Sequence, residues 1–313
     1  MHYERILAAV AATPWAIEPS KGRAIASFLA RKANGETIPA AEVAAAVAAK
    51  KDGKVTKPAK NVAQVGIYGT LVQREGIMTD YSGGTSADAV GLVIDQLAAD
   101  PRVDVILIEV DSPGGSVAGI QECGQKIFNA RSQKKVVGIA NSVAASAGYW
   151  LLSQCSEVVV TPGGMVGSIG VYQMHVDMSQ ALEMAGQKVT LVSAGQNKTL
   201  GNEYEPLSDE GLKSFQKLVN GYYDSFIRAV AAGRGVTANA VRSGFGLGDV
   251  VSAKDAVAEG MADRVATLDE TLARFGVSRS GAPAPGYAES HALTTASAED
   301  PDVAVRRRRQ QMG

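Results

Sequence analysis

Between Val62 and about residue 270 the apolar positions change period in a regular way. Runs in which nearly every residue is apolar alternate with segments in which apolar residues recur every three or four positions, the marks of buried strand and amphipathic helix. "VAQVGIYGTLV" (62–72) predicts a strand, and "TSADAVGLVIDQLAADP" (85–101) a helix capped by Ser86 or Thr85 and closed by Pro101. "VDVILIEVD" (103–111) predicts a strand covered on both faces, "SVAGIQECGQKIFNARS" (116–132) a helix, and "KKVVGIAN" (134–141) a strand. "SAGYWLLSQC" (146–155) follows as a helix, then "EVVVTP" (157–162) and "GSIGVYQMHV" (167–176) as strands. Strand–helix alternation of this kind implies an α/β fold with a mostly parallel sheet, and places ligand sites beyond the carboxyl ends of the strands.

The flanks follow other patterns. "SKGRAIASFLARKANG" carries Ile25, Phe28 and Leu29 at helical spacing and should stop near Gly35; "IPAAEVAAAVAAKK" predicts a second short helix, and "KDGKVTKPAK" a basic linker. A long amphipathic helix is expected over 208–232, with Ser208 as N-cap, Asp209 and Glu210 at its positive end, and Gly233 as its stop. Its stripe of Leu212, Phe215, Val219, Tyr222, Phe226 and Val230 predicts core or an oligomer contact. "VVSAKDAVAEGMADRVATLDE" supplies one more helix and a short closing strand. Beyond about 275 the chain is rich in Pro, Ser and Ala and should be disordered. The expected division is a helical N-terminal segment and linker (1–58), one α/β domain (59–272) and a tail (273–313).

Composition narrows the classes. Apolar residues are 46% and charged residues 20% of 313, as in a globular domain, and the formal net charge of −1 gives no overall pull toward nucleic acid. Cys123 and Cys155 are too few for a disulfide framework, lack metal-ligand spacing, and read as small core residues of a reducing compartment. No apolar run reaches the about 18 residues of a membrane span, and "MHYERILAAVAATPWAIEP" lacks the basic start and long apolar stretch of a secretory signal. A cytoplasmic protein without a membrane anchor, metal or cofactor is the expectation.

Two glycine-rich strand ends bear chemistry. In "EVDSPGGSVAG", Gly114 and Gly115 follow a buried strand, either as an ordinary tight turn or as a place where backbone N–H groups meet a ligand. No Gly-Lys-Ser/Thr follows, so a phosphate loop is not indicated. In "AASAGYWLL" the side chains shrink around Ser146 and bulk returns at Tyr149. Ser146 is either a helix cap or a nucleophile stripped of neighbours so that a polypeptide can reach it. A nucleophilic serine needs a base. His2 and His291 lie in the flanks, and His175 is either a base or an edge-strand residue. Lys198, in the loop "SAGQNKTLGNEYEP", is either a surface lysine or a base, since a lysine left neutral by burial can accept a proton.

Taken in order, "SPGG", "ASAGY", "GMVGSIGV" and the lysine of "GQNKTLGN" resemble the signal peptide peptidase A-like serine peptidases, which share the Clp protease/crotonase fold of repeated β-β-α units. The resemblance runs from about residue 62 to 270. It implies a Ser–Lys dyad of Ser146 and Lys198, an oxyanion hole from the backbone N–H groups of Gly115 and Ala147, and Ser168 as the hydroxyl that orients the lysine. The segment 69–119, including "YSGGTS", and the N-terminal "PWAIEPSKGRAIASFLA" are similar to the capsid assembly proteases of tailed phages. That branch implies cleavage of scaffold, portal or other capsid proteins inside the prohead in the host cytoplasm, by a homo-oligomer, with no nucleic-acid partner. Two other functions keep the same fold: a scaffold-binding capsid assembly protein with a vestigial site, and a crotonase-like acyl-CoA enzyme that needs no dyad. "RRRR" at 306–309 is either a solvated tail or a contact for acidic scaffold or nucleic acid.

Overall fold

The computed structural model describes residues 13–33, 56–59, 61–74 and 84–277. The expected second N-terminal helix, the C-terminal tail and the arginine run lie outside the described residues.

The long strands β3 (Val62–Tyr68), β6 (Val105–Ser112) and β8 (Lys135–Ala145) run parallel at the centre of the main sheet, in the order β8-β6-β3. Val105 and Leu107 face one side of this sheet, while Ile106, Ile108 and Val110 face the other, and all are buried. That is why the strand sequences are continuously apolar. One face carries helices α2 (Ala87–Ala99), α3 (Ile120–Ala130), α4 (Ala147–Ser153) and α6 (Asp209–Arg234). Leu268 and Leu272 of helix α9 (Leu268–Ala273) join the core on the opposite face. Each fully buried Leu or Ile contributes about 1.5–3 kcal/mol relative to exposure.

After β3 and after β6 the chain steps into a second, smaller sheet before entering its helix. Strand β4 (Leu71–Val72) and a short β5 (Thr85–Ser86) precede α2, and β7 (Gly114–Ser116) precedes α3. These are the β-β-α units that the resemblance implies, although the segment 62–72, expected as one strand, is divided between the two sheets. The smaller sheet has the order β1-β7-β4-β5, where β1 is Trp15–Ile17. Beyond β8 the main sheet forks. Val137–Ala140 pair with β9 (Glu157–Val160), and Val143–Ala145 pair with β10 (Met165–Gly167), both in parallel. Antiparallel edges are added by β2 (Thr56–Ala59) on β3 and by β11 (Val250–Ser252) on β10, and β12 (Arg264–Val265) pairs with β9.

Several boundaries differ from the sequence reading. The expected 167–176 strand ends at Gly167, because Ser168 turns into a positive φ of 53° and gives its N–H to the Asp249 carbonyl at 2.7 Å. The long helix passes through Gly233 and ends at Gly235, which takes the left-handed conformation (φ 68°). Gly233 is needed inside the helix, because a Cβ there would come within 2.2 Å of the Ser153 carbonyl oxygen of α4. The N-terminal segment holds strand β1 besides helix α1 (Pro19–Ala33), and part of the basic linker is strand β2. Ser86 and Ser208 cap their helices as expected, accepting from the N–H groups of Ala89 and Gly211.

Candidate active site

Ser146 stands where β8 ends and α4 begins, with φ 54° and ψ −120°. This is a strained setting for a residue with a side chain. Its own backbone explains how it is held: Ser146 N–H donates to the Gly167 carbonyl at 2.7 Å, and Trp150 N–H donates to the Ser146 carbonyl at 2.9 Å. The side chain makes no capping bond, although it occupies the N-cap position. The cap alternative for Ser146 therefore loses its physical basis, since a cap stabilises through just that bond. Among the described residues its Oγ has a single long contact, 3.5 Å, to the Gly170 carbonyl oxygen.

The bulk after the corner anchors it. Every residue of α4 is buried, Tyr149 Oη donates to the Met261 carbonyl at 3.0 Å, and Trp150 stacks on Phe226 with ring centroids 4.5 Å apart. Arg234 of α6 makes paired hydrogen bonds to Asp263, whose Oδ2 also accepts the Val158 N–H at 2.6 Å. Burial pushes the Asp263 carboxyl up, but the bonds from Arg234 and Val158 outweigh it, and the net displacement is downward.

The diglycine corner lies against this elbow. Ser112 Oγ donates to the Gly69 carbonyl at 2.6 Å and accepts from Gly114 N–H at 3.1 Å, fixing the turn. Gly114 has φ 99°, and a Cβ on it would meet the Ala145 carbonyl oxygen at 3.0 Å and Ser146 Cβ at 2.9 Å. A Cβ on Gly115 would lie 1.9 Å from the Leu71 carbonyl oxygen. Gly148 is tightly but less severely confined, its missing Cβ 3.1 Å from the Ser112 carbonyl oxygen. Both corners thus place backbone against backbone, which explains the glycines of "SPGG" and the small residues of "AASAG". Ala147 is the first residue of α4, and the first N–H groups of a helix have no intrahelical acceptor. Gly167 sits opposite Ala145 in the β8/β10 register, which brings the buried Ser168 beside Ser146.

The structure thus brings together Ser146, Gly115, Ala147 and Ser168. It does not bring Lys198 to them. Lys198 is exposed in a turn, its N–H bonded to the Gly195 carbonyl at 3.1 Å, and no hydrogen bond joins it to Ser146 in the single chain. His175 is also apart from Ser146: its Nε2 donates to the Asn202 carbonyl at 2.8 Å, and its ring is tilted against Phe215. Cys123 and Cys155 are buried free thiols, and burial pushes each up to about 12. Sequence reasoning missed Ser112 as the brace of the turn, Asp249 as acceptor for Ser168, and strand β1 lying on β7. The one signal for β1 was the apolar "PWAI" just before a helix.

The fold and these corners define an α/β protein with a serine at a strand-to-helix elbow beside a diglycine turn. The model of peptidase family S49 matches residues 129–279 of this chain. Head-tail preconnector protein GP5 of Enterobacteria phage P21 is 35% identical over 192 residues, 61% of this chain and 38% of that protein. Capsid assembly protease C of Escherichia phage lambda is 32% identical over 252 residues, 79% of this chain and 57% of that protein. Protease 4 of Salmonella typhi is 28% identical over 61% of this chain and 31% of its own length. The chain therefore spans between about a third and somewhat over half of these relatives. A solved ClpP1 mutant from Listeria monocytogenes superposes with a TM-score of 0.41 at 16% identity, covering 67% of this chain and 94% of that one.

Proposed function

We propose that the protein is a serine endopeptidase that cleaves capsid-associated proteins during phage head assembly. The observation that carries this reading is the state of Ser146: it is held at a positive-φ elbow, makes no cap bond, and is packed against a diglycine turn. In the proposed mechanism Ser146 Oγ attacks the carbonyl carbon of a peptide bond. Its proton passes to Lys198, and the Gly115 and Ala147 N–H groups hold the oxyanion. The tetrahedral intermediate then collapses, the leaving amine takes the proton from Lys198, and water releases the acyl group by the reverse path. Ser168, beside Ser146 at the end of β10, orients the lysine. The names of two phage relatives, a capsid assembly protease and a head-tail preconnector protein, support capsid proteins as the substrate class; within that class the reading assigns scaffold or portal proteins, cleaved in a prohead in the host cytoplasm. Among the described residues no helix is long and apolar enough to cross a membrane.

Lys198 must move or be supplied for this chemistry. It lies in the stretch 187–198, where every residue is exposed, including Val192 at 94%. An assembled homo-oligomer, in which this arm packs on another copy, gives the lysine the dry setting a base requires. The same exposure favours one other reading, a scaffold-binding assembly protein whose site is vestigial. Incubating the protein with its scaffold and portal partners, beside Ser146→Ala, separates the two by mass spectrometry. Cleavage by the parent and none by the variant is the expected result; intact partners with both would establish the vestigial reading.

A further inference from the structure

Ser146 is 1% exposed, a setting at odds with a nucleophile that must meet a polypeptide. The chain's own residues 14–18 lie against it. Strand β1 is antiparallel to β7, with Trp15 opposite Ser116, Ala16 opposite Gly115 and Ile17 opposite Gly114. Beyond the strand ends, Glu18 N–H donates to the Pro113 carbonyl at 2.7 Å and Val117 N–H to the Pro14 carbonyl at 3.4 Å. Bonded pairs alternate in an antiparallel ladder, so Ala16 and Gly115 form the bonded pair between those two, and the Gly115 N–H is directed at the Ala16 carbonyl. On its other edge the strand is held by Tyr172: Trp15 N–H donates to the Tyr172 carbonyl at 2.8 Å, and Tyr172 N–H to the Trp15 carbonyl at 3.0 Å. The point where a Gly114 Cβ would lie is 2.2 Å from the Ala16 carbonyl oxygen and 2.9 Å from Ser146 Cβ.

We propose that Pro14–Glu18 is a tethered occupant of the substrate cleft, laid in as a substrate strand would be, with the Ala16 carbonyl where a scissile carbonyl belongs. The inference rests on the assignment of Ser146 and the Gly115 N–H made above. It adds that substrate and N-terminal strand compete for one place: any carbonyl held by the Gly115 N–H and attacked by Ser146 must first displace that of Ala16. The side chains explain how the strand stays. Trp15 and Ile17 alternate to one side, onto Ile25 and Phe28 of α1 and onto Tyr172 and Met174, while Ala16 points the other way into the main core. Helix α1 thus fastens the strand from behind, and its seat lies outside the residues that carry the chemistry.

The test uses the full chain and a fluorophosphonate that labels a reactive serine. Ile17→Asp places a carboxylate in the apolar seat and should free the strand; Ala16→Pro removes the N–H that the ladder uses, and serves if the first variant melts early by circular dichroism. Labelling of Ser146 should be about tenfold faster in either variant, the factor by which occupancy lowers the competent fraction. A synthetic peptide with the sequence of residues 13–20, TPWAIEPS, should slow the freed variant again. A new N-terminus at Ile17 in the parent protein, seen by intact mass, would also support the placement. Equal labelling rates in parent and both variants would overturn the proposal while leaving Ser146 as a nucleophile. Absence of label from all three would remove the nucleophile itself, and the proposal with it.

Discussion

The corner around Ser146 and the arm around Lys198 are built in opposite ways. At the corner, backbone touches backbone: Gly114 and Gly115 lack the room for a Cβ, Gly148 is tightly placed, and α4 is wholly buried behind them. In the arm, residues 187–198 are all exposed, and the chain between α5 (Ser179–Met184) and α6 holds turns and irregular backbone without helix or strand. The first half of α6 shares this character, with Leu212 53% and Leu218 44% exposed, whereas Phe226, Ile227 and Val230 are buried. One half of the proposed dyad is therefore fixed by the folding of a single chain. The other half depends on an event after folding, and the two halves should respond differently to mutation.

Ser146→Ala should remove activity by about 10⁴-fold or more, the usual loss when a nucleophile is deleted, with an unchanged melting temperature. Residual cleavage near the parent's level would move attention to Ser168. Lys198→Arg should cost about 10²–10⁴-fold, the contribution of a general base, because a guanidinium does not release its proton. Melting should not shift, since the side chain is exposed; His175→Ala should keep most activity. If His175→Ala is inactive and Lys198→Arg is not, the base has been misassigned.

Gly114→Ala should damage both fold and activity, because it forces a side chain to a φ of 99° and into Ser146 and the Ala16 carbonyl. A loss of about 1–3 kcal/mol in denaturant unfolding is expected. A comparable substitution in the arm, at Gly186, meets no atom within 4 Å and should cost only the strain of its φ of 68°. The smallest effect separates the regions by pH. Asp263 and Glu157 are both displaced downward in the folded chain: burial opposes the shift, but Arg234 and Val158 for Asp263, and Arg274 and Lys135 for Glu157, prevail. A lowered carboxylate stabilises the fold above its unfolded pKa of about 4 and loses that contribution as pH falls. The melting temperature should therefore drop modestly in acid, and less in Asp263→Asn; equal acid sensitivity of that variant would free Asp263 from the account.

The corner was legible in the sequence because its physics is local. Shrinking side chains, then Tyr149 and Trp150, mark a backbone contact followed by an anchor, and continuous apolar runs mark strands covered on both faces. Ser168 was legible as a position, though the end of its strand was not, since an acceptor 81 residues away, Asp249, decides where pairing stops. Strand β1 escaped because three apolar residues carry no period, and their partner lies about a hundred residues on. The arm escaped for a different reason: its composition suits a loop equally well whether or not something later covers it.

The two thiols are buried beneath this machinery and shielded from thiol-directed reagents. Burial pushes Cys123 and Cys155 each up to about 12, and so keeps both as unreactive thiols near neutral pH. Since the chain holds no other cysteine, Ser193→Cys in the exposed arm would install a single reporter. Its reaction with a maleimide, one per chain when the arm is bare and fewer when it is covered, turns the fate of the lysine loop into a stoichiometry that can be counted.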